Sequence, residues 1–290
     1  MSSIRAEPSP LELASALSAP APTPCLFWLG QAGFAVRLHN TLLLIDPYLS
    51  DALATKYAGT AFPHERMMRS PINVAELPPV DWVLVTHRHG DHLDRVALPA
   101  IAARSPECRF VVPAADAELA RSMGLPQRRL LPIDAGEDLK LGPWCIRAIA
   151  AAHEAVERDE SGHHRFLGYI LVSDHQAFYH SGDCVPFDGL SAALSAFTLD
   201  LALLPVNGRD TYRADLGIPG NFTLDEAVNL CEALSIPTLL AHHFGMFAFN
   251  TVPRSDILLK STALAGRLEL LPATLHTRYV LSADRGGIRT

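Results

Sequence analysis

The stretch that most constrains this chain is Thr86-His87-Arg88-His89-Gly90-Asp91-His92-Leu93-Asp94, which packs three imidazoles and a carboxylate into six residues. It follows Val80-Asp81-Trp82-Val83-Leu84-Val85, a short apolar run after two prolines that reads as a buried strand. The apolar spacing from Leu93 to Ala103 suits a helix, so the motif is expected on a strand-to-helix loop. Alternate residues of an extended segment point the same way, so His87 and His89 can reach one ion. The turn into the helix swings Asp91 and His92 to the other side, toward a second. Nitrogen and carboxylate donors at this density suit zinc, manganese or iron at a hydrolytic centre. Surface histidines in a His-rich chain are the rival reading. With 13 histidines in 290 residues, the pattern arises by chance roughly once in several hundred such chains.

Hydrophobic residues make up 49% of the chain and charged residues 19%, enough core for one large α/β domain or two small ones. The 24 basic residues are outnumbered by 31 acidic ones and form no run. That argues against nucleic acid, whose phosphates need a basic stripe. Cys25, Cys108, Cys145, Cys184 and Cys231 are scattered without a Cys-x-x-Cys pair, which favours a reducing cytoplasm over a disulfide framework. No apolar run reaches membrane-spanning length, the first residues lack an apolar signal core, and no membrane partner is expected.

Residues 1–24, rich in Ser, Ala and Pro, read as an N-terminal arm lying on the domain or on a neighbouring subunit. Within it a short helix is expected from Leu11 to Leu17 and an extended connector over 18–24. Residues 25–290 read as a single domain. Cys25–Leu29, Phe34–His39 and Thr41–Ile45 form an expected antiparallel meander ending at Asp46-Pro47-Tyr48. Residues 49–80 read as a long loop of the kind that often carries function. Further apolar strands lead into His153-Glu154, Ser181-Gly182-Asp183-Cys184, Asn207-Gly208-Arg209-Asp210 and His242-His243. A helix is expected over 93–104 and another over 223–234, the latter capped by Asn221. Both halves run strands first and βα units second, which predicts two sheets packed face to face with helices outside.

These segments resemble the metallo-β-lactamase superfamily, and within it the L-ascorbate-6-phosphate lactonase-like hydrolases. The likeness runs from Trp28-Leu29-Gly30-Gln31-Ala32-Gly33-Phe34 through Ile45-Asp46-Pro47-Tyr48-Leu49-Ser50, the His motif, His180-Ser181-Gly182-Asp183 and Asn207-Gly208-Arg209-Asp210. It ends at His243-Phe244-Gly245-Met246-Phe247-Ala248-Phe249-Asn250. The resemblance implies an α/β (α+β) four-layer αββα sandwich holding two divalent metal ions, Mn2+ or Zn2+, at the edge of its sheets. One site would be His87, His89 and His153, the other Asp91, His92 and His243, with Asp183 bridging. Neighbouring strand residues face opposite ways, so only one of His242 and His243 can ligate, and the family register favours His243. Asp46 either caps its turn or orients a ligand imidazole, and His180 is a strand residue or a similar support. Cys184 stands where relatives carry a small hydroxyl residue and is expected to be a buried, inert thiol. His163 and His164 are expected in a solvated loop, as are His39, His64 and His276.

The implied chemistry is hydrolysis. Two ions about 3.5–4 Å apart lower the pKa of a shared water toward about 7, and Asp91 and Asp183, the catalytic carboxylates, orient it. Arg209 is expected to hold an anionic substrate group while Asn207 donates to an oxyanion or sugar hydroxyl; a structural Arg209–Asp210 turn is the alternative. The expected reaction opens a lactone of a sugar acid, possibly one like ascorbate-6-phosphate. A phosphodiesterase or phospholipid-type hydrolase on the same centre, or a non-catalytic binding relic, are the alternatives. The expected substrate is a small anionic molecule and the expected assembly a homo-oligomer.

Overall fold

In the computed structural model, which describes residues 4–9, 12–173 and 176–281, the alternating apolar runs pair into two mixed sheets. The strands of the first half are β1 (Ile4–Pro8), β2 (Ala21–Gly30), β3 (Gly33–His39), β4 (Thr41–Ile45), β5 (Trp82–Leu84), β6 (Arg109–Pro113) and β7 (Leu130–Ile133). Those of the second half are β8 (Asp138–Leu141), β9 (Trp144–Ala150), β10 (Leu167–Val172), β11 (Ala177–His180), β12 (Leu201–Pro205), β13 (Thr238–His242), β14 (Glu269–Pro272) and β15 (Thr277–Leu281). One sheet runs β1-β15-β2-β3-β4-β5-β6-β7 and the other β14-β13-β12-β11-β10-β9-β8. With helices outside both sheets, this is the expected α/β sandwich.

Strand direction places the chemistry. β4 and β5 are parallel, so Asp46 and the His motif leave the first sheet at one edge. In the second sheet β11, β12 and β13 are parallel, and β9 shares their direction because it reaches β11 through two antiparallel pairings. The segments carrying His153, Asp183, Asn207 and His243 therefore all leave that sheet at one edge as well.

Period-two alternation sorts the side chains. Leu26, Trp28, Phe34 and Val36 face the second sheet, where they meet the layer of Trp144, Phe178 and Leu203. Phe27, Leu29 and Ala35 face outward onto Leu17 of the helix Leu13–Ser18 and Ile101 of the helix Ala97–Arg104. Each fully buried Leu or Phe contributes about 1.5–3 kcal/mol relative to exposure. Tyr169 of β10 donates its hydroxyl to the Val85 carbonyl at 2.7 Å, tying the second sheet to the base of the His motif.

Three expectations about local structure change. The N-terminal arm lies on the domain, one of its two expected places, as a strand: β1 pairs antiparallel with β15, and the supposed connector is the start of β2. Pro22 and Pro24, which lack N–H donors, fall where the β2–β3 register slips between Ala21 and Cys25. The helix within the arm is Leu13–Ser18, and Leu11 lies outside the described residues. The helix after the motif starts at Ala97 rather than 93 because the Asp94 carboxylate accepts from Val96 N and Ala97 N while also holding Leu49 N and Ser50 N. The helix Leu224–Ala233 is capped by Thr223, in a capping box with Glu226, and not by Asn221. Among the described residues no helix is long and apolar enough to cross a membrane.

Candidate metal centre

Segments far apart in sequence bring seven donors together in three overlapping groups: His87–His89–His153, His87–His92–Asp183 and Asp91–His92–His243. The two oxygens of Asp183 divide between them. Oδ2 lies 3.5 Å from His153 Nε2, whereas Oδ1 lies 3.3 Å from His92 Nε2 and 3.2 Å from His243 Nε2. On the other flank Asp91 Oδ2 is 3.9 Å from His92 Nε2 and 3.8 Å from His243 Nε2. Gly182 allows this placement of Asp183: its φ is +62°, and a Cβ there would meet Thr86 Cβ at 2.7 Å and the Leu167 carbonyl at 2.8 Å.

Asp46 stands behind the donors. Its Oδ2 is 2.7 Å from His92 Nδ1, and its two oxygens accept from Thr86 N and Thr86 Oγ1. The outer nitrogen of His92 is thus tied down and Nε2 is aimed at the carboxylates.

The electrostatics fit a cation. Burial, followed by the neighbouring His92 and His89, holds His87 well below the ordinary imidazole range. Burial, followed by His153, pushes His89 down to about 4. Both therefore offer neutral lone pairs at neutral pH. Burial would also depress His92, but Asp183, Asp46 and Asp91 outweigh it and hold the ring well above its usual value. Burial would raise Asp183, yet His243 and His92 keep it well below the carboxylate range. The pocket thus demands positive charge where His92 Nε2 meets Asp183 Oδ1, two buried atoms that lack a well-formed hydrogen bond. Imidazole and carboxylate donors so arranged suit divalent metal ions.

The model of the beta-lactamase superfamily domain matches residues 41–244, more than half of the chain. The chain belongs to the metallo-β-lactamase superfamily. One superfamily relative is the N-acyl-phosphatidylethanolamine-hydrolyzing phospholipase D 1 of Caenorhabditis elegans, 25% identical over 240 residues. That match covers 77% of this chain but only 64% of the relative's length. A UPF0173 metal-dependent hydrolase of Myxococcus xanthus is 26% identical over 229 residues, covering 76% of this chain and 70% of the other. Among solved structures, the isothiocyanate hydrolase from Delia radicum gut bacteria shares the metallo-β-lactamase fold at a TM-score of 0.69 and 22% identity, over 87% of this chain and 98% of that one.

Arg209 and Asn207, expected to meet substrate, are tied into the fold instead, and His180 is the strand residue expected as one of its two readings. Arg209 is not a free anion clamp. Its Nη1 and Nη2 each lie 2.6 Å from an oxygen of Glu226, and Nη1 also donates to the Asn221 carbonyl. The rival Arg209–Asp210 turn is not its partner either, because Asp210 pairs with Arg213. Asn207 is buried and joined at both ends, donating to Asn250 Oδ1 at 2.8 Å and accepting from Asn221 Nδ2 at 3.0 Å, so it braces three loops rather than facing substrate. His180 touches no donor: Nδ1 accepts from Gly182 N and Nε2 reaches the Ala32 carbonyl, which fixes the loop to Asp183 rather than a ligand ring.

His243 joins the donors, while His242 stacks on His180 at 5.1 Å inside the core. Cys184 is a buried thiol whose pKa burial pushes up to about 12. His164 is not solvated but buried against Asp134, 2.8 Å from its carboxylate. His64 lies in a loop as expected but is half-buried, stacking on Tyr57 at 4.2 Å and meeting Phe247 edge-on at 4.9 Å. Sequence reading missed one residue altogether. Gln31, quoted above only as part of a motif, is buried against Asp91 and His243, and its sole local signal was a glycine turn on each side.

Proposed function

We propose that this protein is a dinuclear metallohydrolase that cleaves a phosphodiester bearing an apolar arm. The observation that carries the reading is the division of Asp183, one oxygen toward His153 and the other toward His92 and His243. His87, His89 and His153 are assigned to one ion, Asp91, His92 and His243 to the other, and Asp183 to both. Divalent ions held there, Mn2+ or Zn2+, would supply Lewis acidity and a water activated at neutral pH. The chain supplies orientation. Asp183 and Asp91 accept from the attacking water and aim its lone pair at the reacting centre. Asp91, whose side chain keeps 16% exposure, would take the proton the water loses on attack and pass it to the leaving oxygen as the bond between that oxygen and phosphorus breaks.

Two features support the substrate class. A buried apolar cluster of Tyr48, Leu53, Met246 and Phe247 packs against the motif through Gly90, where a Cβ would meet Leu53 Cδ2 at 2.7 Å, and the partly exposed Tyr57, Met68 and Phe249 on its rim are the residues that would meet an apolar arm. Likeness to a phospholipid-cleaving relative points the same way. A sugar-acid lactone would be attacked by the same groups, but the arginine expected to grip its phosphate is held by Glu226. The proposal also includes a reducing, cytoplasmic setting, which five free cysteines favour, and a homo-oligomer, to be read by light scattering.

A substrate panel run with Mn2+ and with Zn2+ tests the reading, using an activated phosphodiester, a dispersed phospholipid, a phosphorylated sugar-acid lactone and an aryl ester. Turnover of the phosphodiesters is expected, and His89→Ala should abolish it. Turnover of the lactone alone would transfer the assignment to a lactonase. Two bound ions with no turnover of any substrate would leave a binding protein.

A further inference from the structure

Gln31 occupies the turn between β2 and β3 with φ +51°, and its side chain is almost fully buried. It stands 60 residues from Asp91 and 212 from His243, yet touches both. Its Nε2 lies 2.8 Å from Asp91 Oδ2 and 3.0 Å from His243 Nε2, so the two amide hydrogens are aimed at two atoms of a single donor group. Its carbonyl oxygen accepts from His243 N at 3.0 Å and from Trp28 Nε1 at 2.9 Å. Its own Oε1 is buried without a partner. One turn of the first sheet thereby fixes the last donor of the second.

We propose that Gln31 is a positioning residue that sets the affinity of the Asp91–His92–His243 ion site and leaves the His87–His89–His153 site untouched. The inference rests on the two-ion reading above. A carboxylate oxygen has lone pairs for an amide hydrogen and for an ion together, so the bond to Asp91 persists when the site fills. His243 Nε2 has one lone pair and gives up its amide contact to the ion. The lasting effect is therefore on Asp91, the only partly exposed member of its trio, which the amide keeps from swinging outward. None of the hydrogen bonds of Gln31 reaches His87, His89 or His153.

The test is metal titration of the full-length, metal-stripped protein, with Zn2+ followed by calorimetry and Co2+ by its visible absorption. Gln31→Gly keeps the carbonyl contacts and favours the left-handed φ, so its fold is safe. Gln31→Met fills the same space without a donor. Both should weaken one equivalent by about 10–100-fold, the usual consequence of losing a ligand's supporting partner, with a changed Co2+ band for that equivalent only. Wild-type constants for both equivalents in both variants would overturn the proposal. Equal weakening of the two equivalents would do the same, since it marks general loosening, as would a loss confined to the glycine variant. A wild-type protein that takes up fewer than two equivalents would instead overturn the two-ion reading, and this inference with it.

Discussion

Asp46 Oδ2 and His92 Nδ1 lie 2.7 Å apart, and neither side chain is exposed to solvent at all. The carboxylate at the end of β4 thus fixes a donor ring on the loop after β5, and through Thr86 it fixes the start of that loop. Asp46→Ala should cost about 10–100-fold in affinity for the ion at His92. Leaving the Thr86 donors without an acceptor should destabilise the fold by about 1–3 kcal/mol as well. Metal content after dialysis and urea unfolding read the two effects separately.

Asp91 has a role in chemistry as well as in binding. Asp91→Asn keeps the shape but cannot return a proton, so turnover should fall by about 10²–10⁴-fold. Because Asp91 is also assigned to an ion, turnover is compared at saturating metal, and it is the thermal stability of the metal-stripped protein that should change little. A variant that keeps more than a tenth of wild-type turnover would remove Asp91 from proton transfer.

Arg209→Lys distinguishes a clamp from a brace. Its partner Glu226 is also the capping-box residue of the helix Leu224–Ala233, and the pair is partly exposed, at 42% and 30%. Such pairs contribute about 0–1 kcal/mol. The substitution should therefore shift stability by no more than that and leave KM for anionic substrates unchanged.

The first-sheet part of the centre was legible because His87, His89, Asp91 and His92 are adjacent in sequence and follow an apolar strand. His153, Asp183 and His243 were legible only as polar residues at strand ends, and the family register had to choose between His242 and His243. Long-range pairing was not legible. Glu226 lies 17 residues beyond Arg209, in the helix Leu224–Ala233, and nothing in local periodicity shows that it takes both guanidinium nitrogens. The same holds for Asn207 with Asn250 and for β1 with β15, which are joined by topology and not by pattern. The late start of the helix after the motif has the same origin, since one carboxylate, Asp94, serves that helix and the Leu49–Ser50 turn together.

Asp116 gives a pH signature away from the donors. It is buried, with Arg88 Nε 3.7 Å away, and burial pushes its carboxyl up to about 6 despite Arg88 and Arg165. A folded-state pKa above the unfolded value of about 3.9 means the folded form binds the proton more tightly. That stabilisation is complete below about pH 4 and is lost as pH rises through about 6. It amounts to about 3 kcal/mol. Asp116→Asn, which mimics the protonated acid, should raise Tm relative to wild type at pH 7.5 and scarcely change it at pH 4. An equal shift at both pH values would contradict this.

Chelation should destabilise the protein, because the complete donor set is assembled only in the folded chain. Restoring Zn2+ to 100 times its dissociation constant should return about 2.7 kcal/mol per site. Thermal unfolding at stepped free-metal concentrations checks it. A flat Tm across the series would mean that no ion is held by the folded state.

Every donor trio straddles the two halves of the molecule: His87, His89, Asp91 and His92 come from the loop after β5, and His153, Asp183 and His243 from the ends of β9, β11 and β13. A nascent or partly unfolded chain with only one half in place cannot assemble either nest. Full-affinity metal binding would therefore wait until both layers have docked, and an ion seated there would act as a rivet between them. Hydrogen exchange should show this directly, with the edges of both sheets becoming protected in step as metal is added.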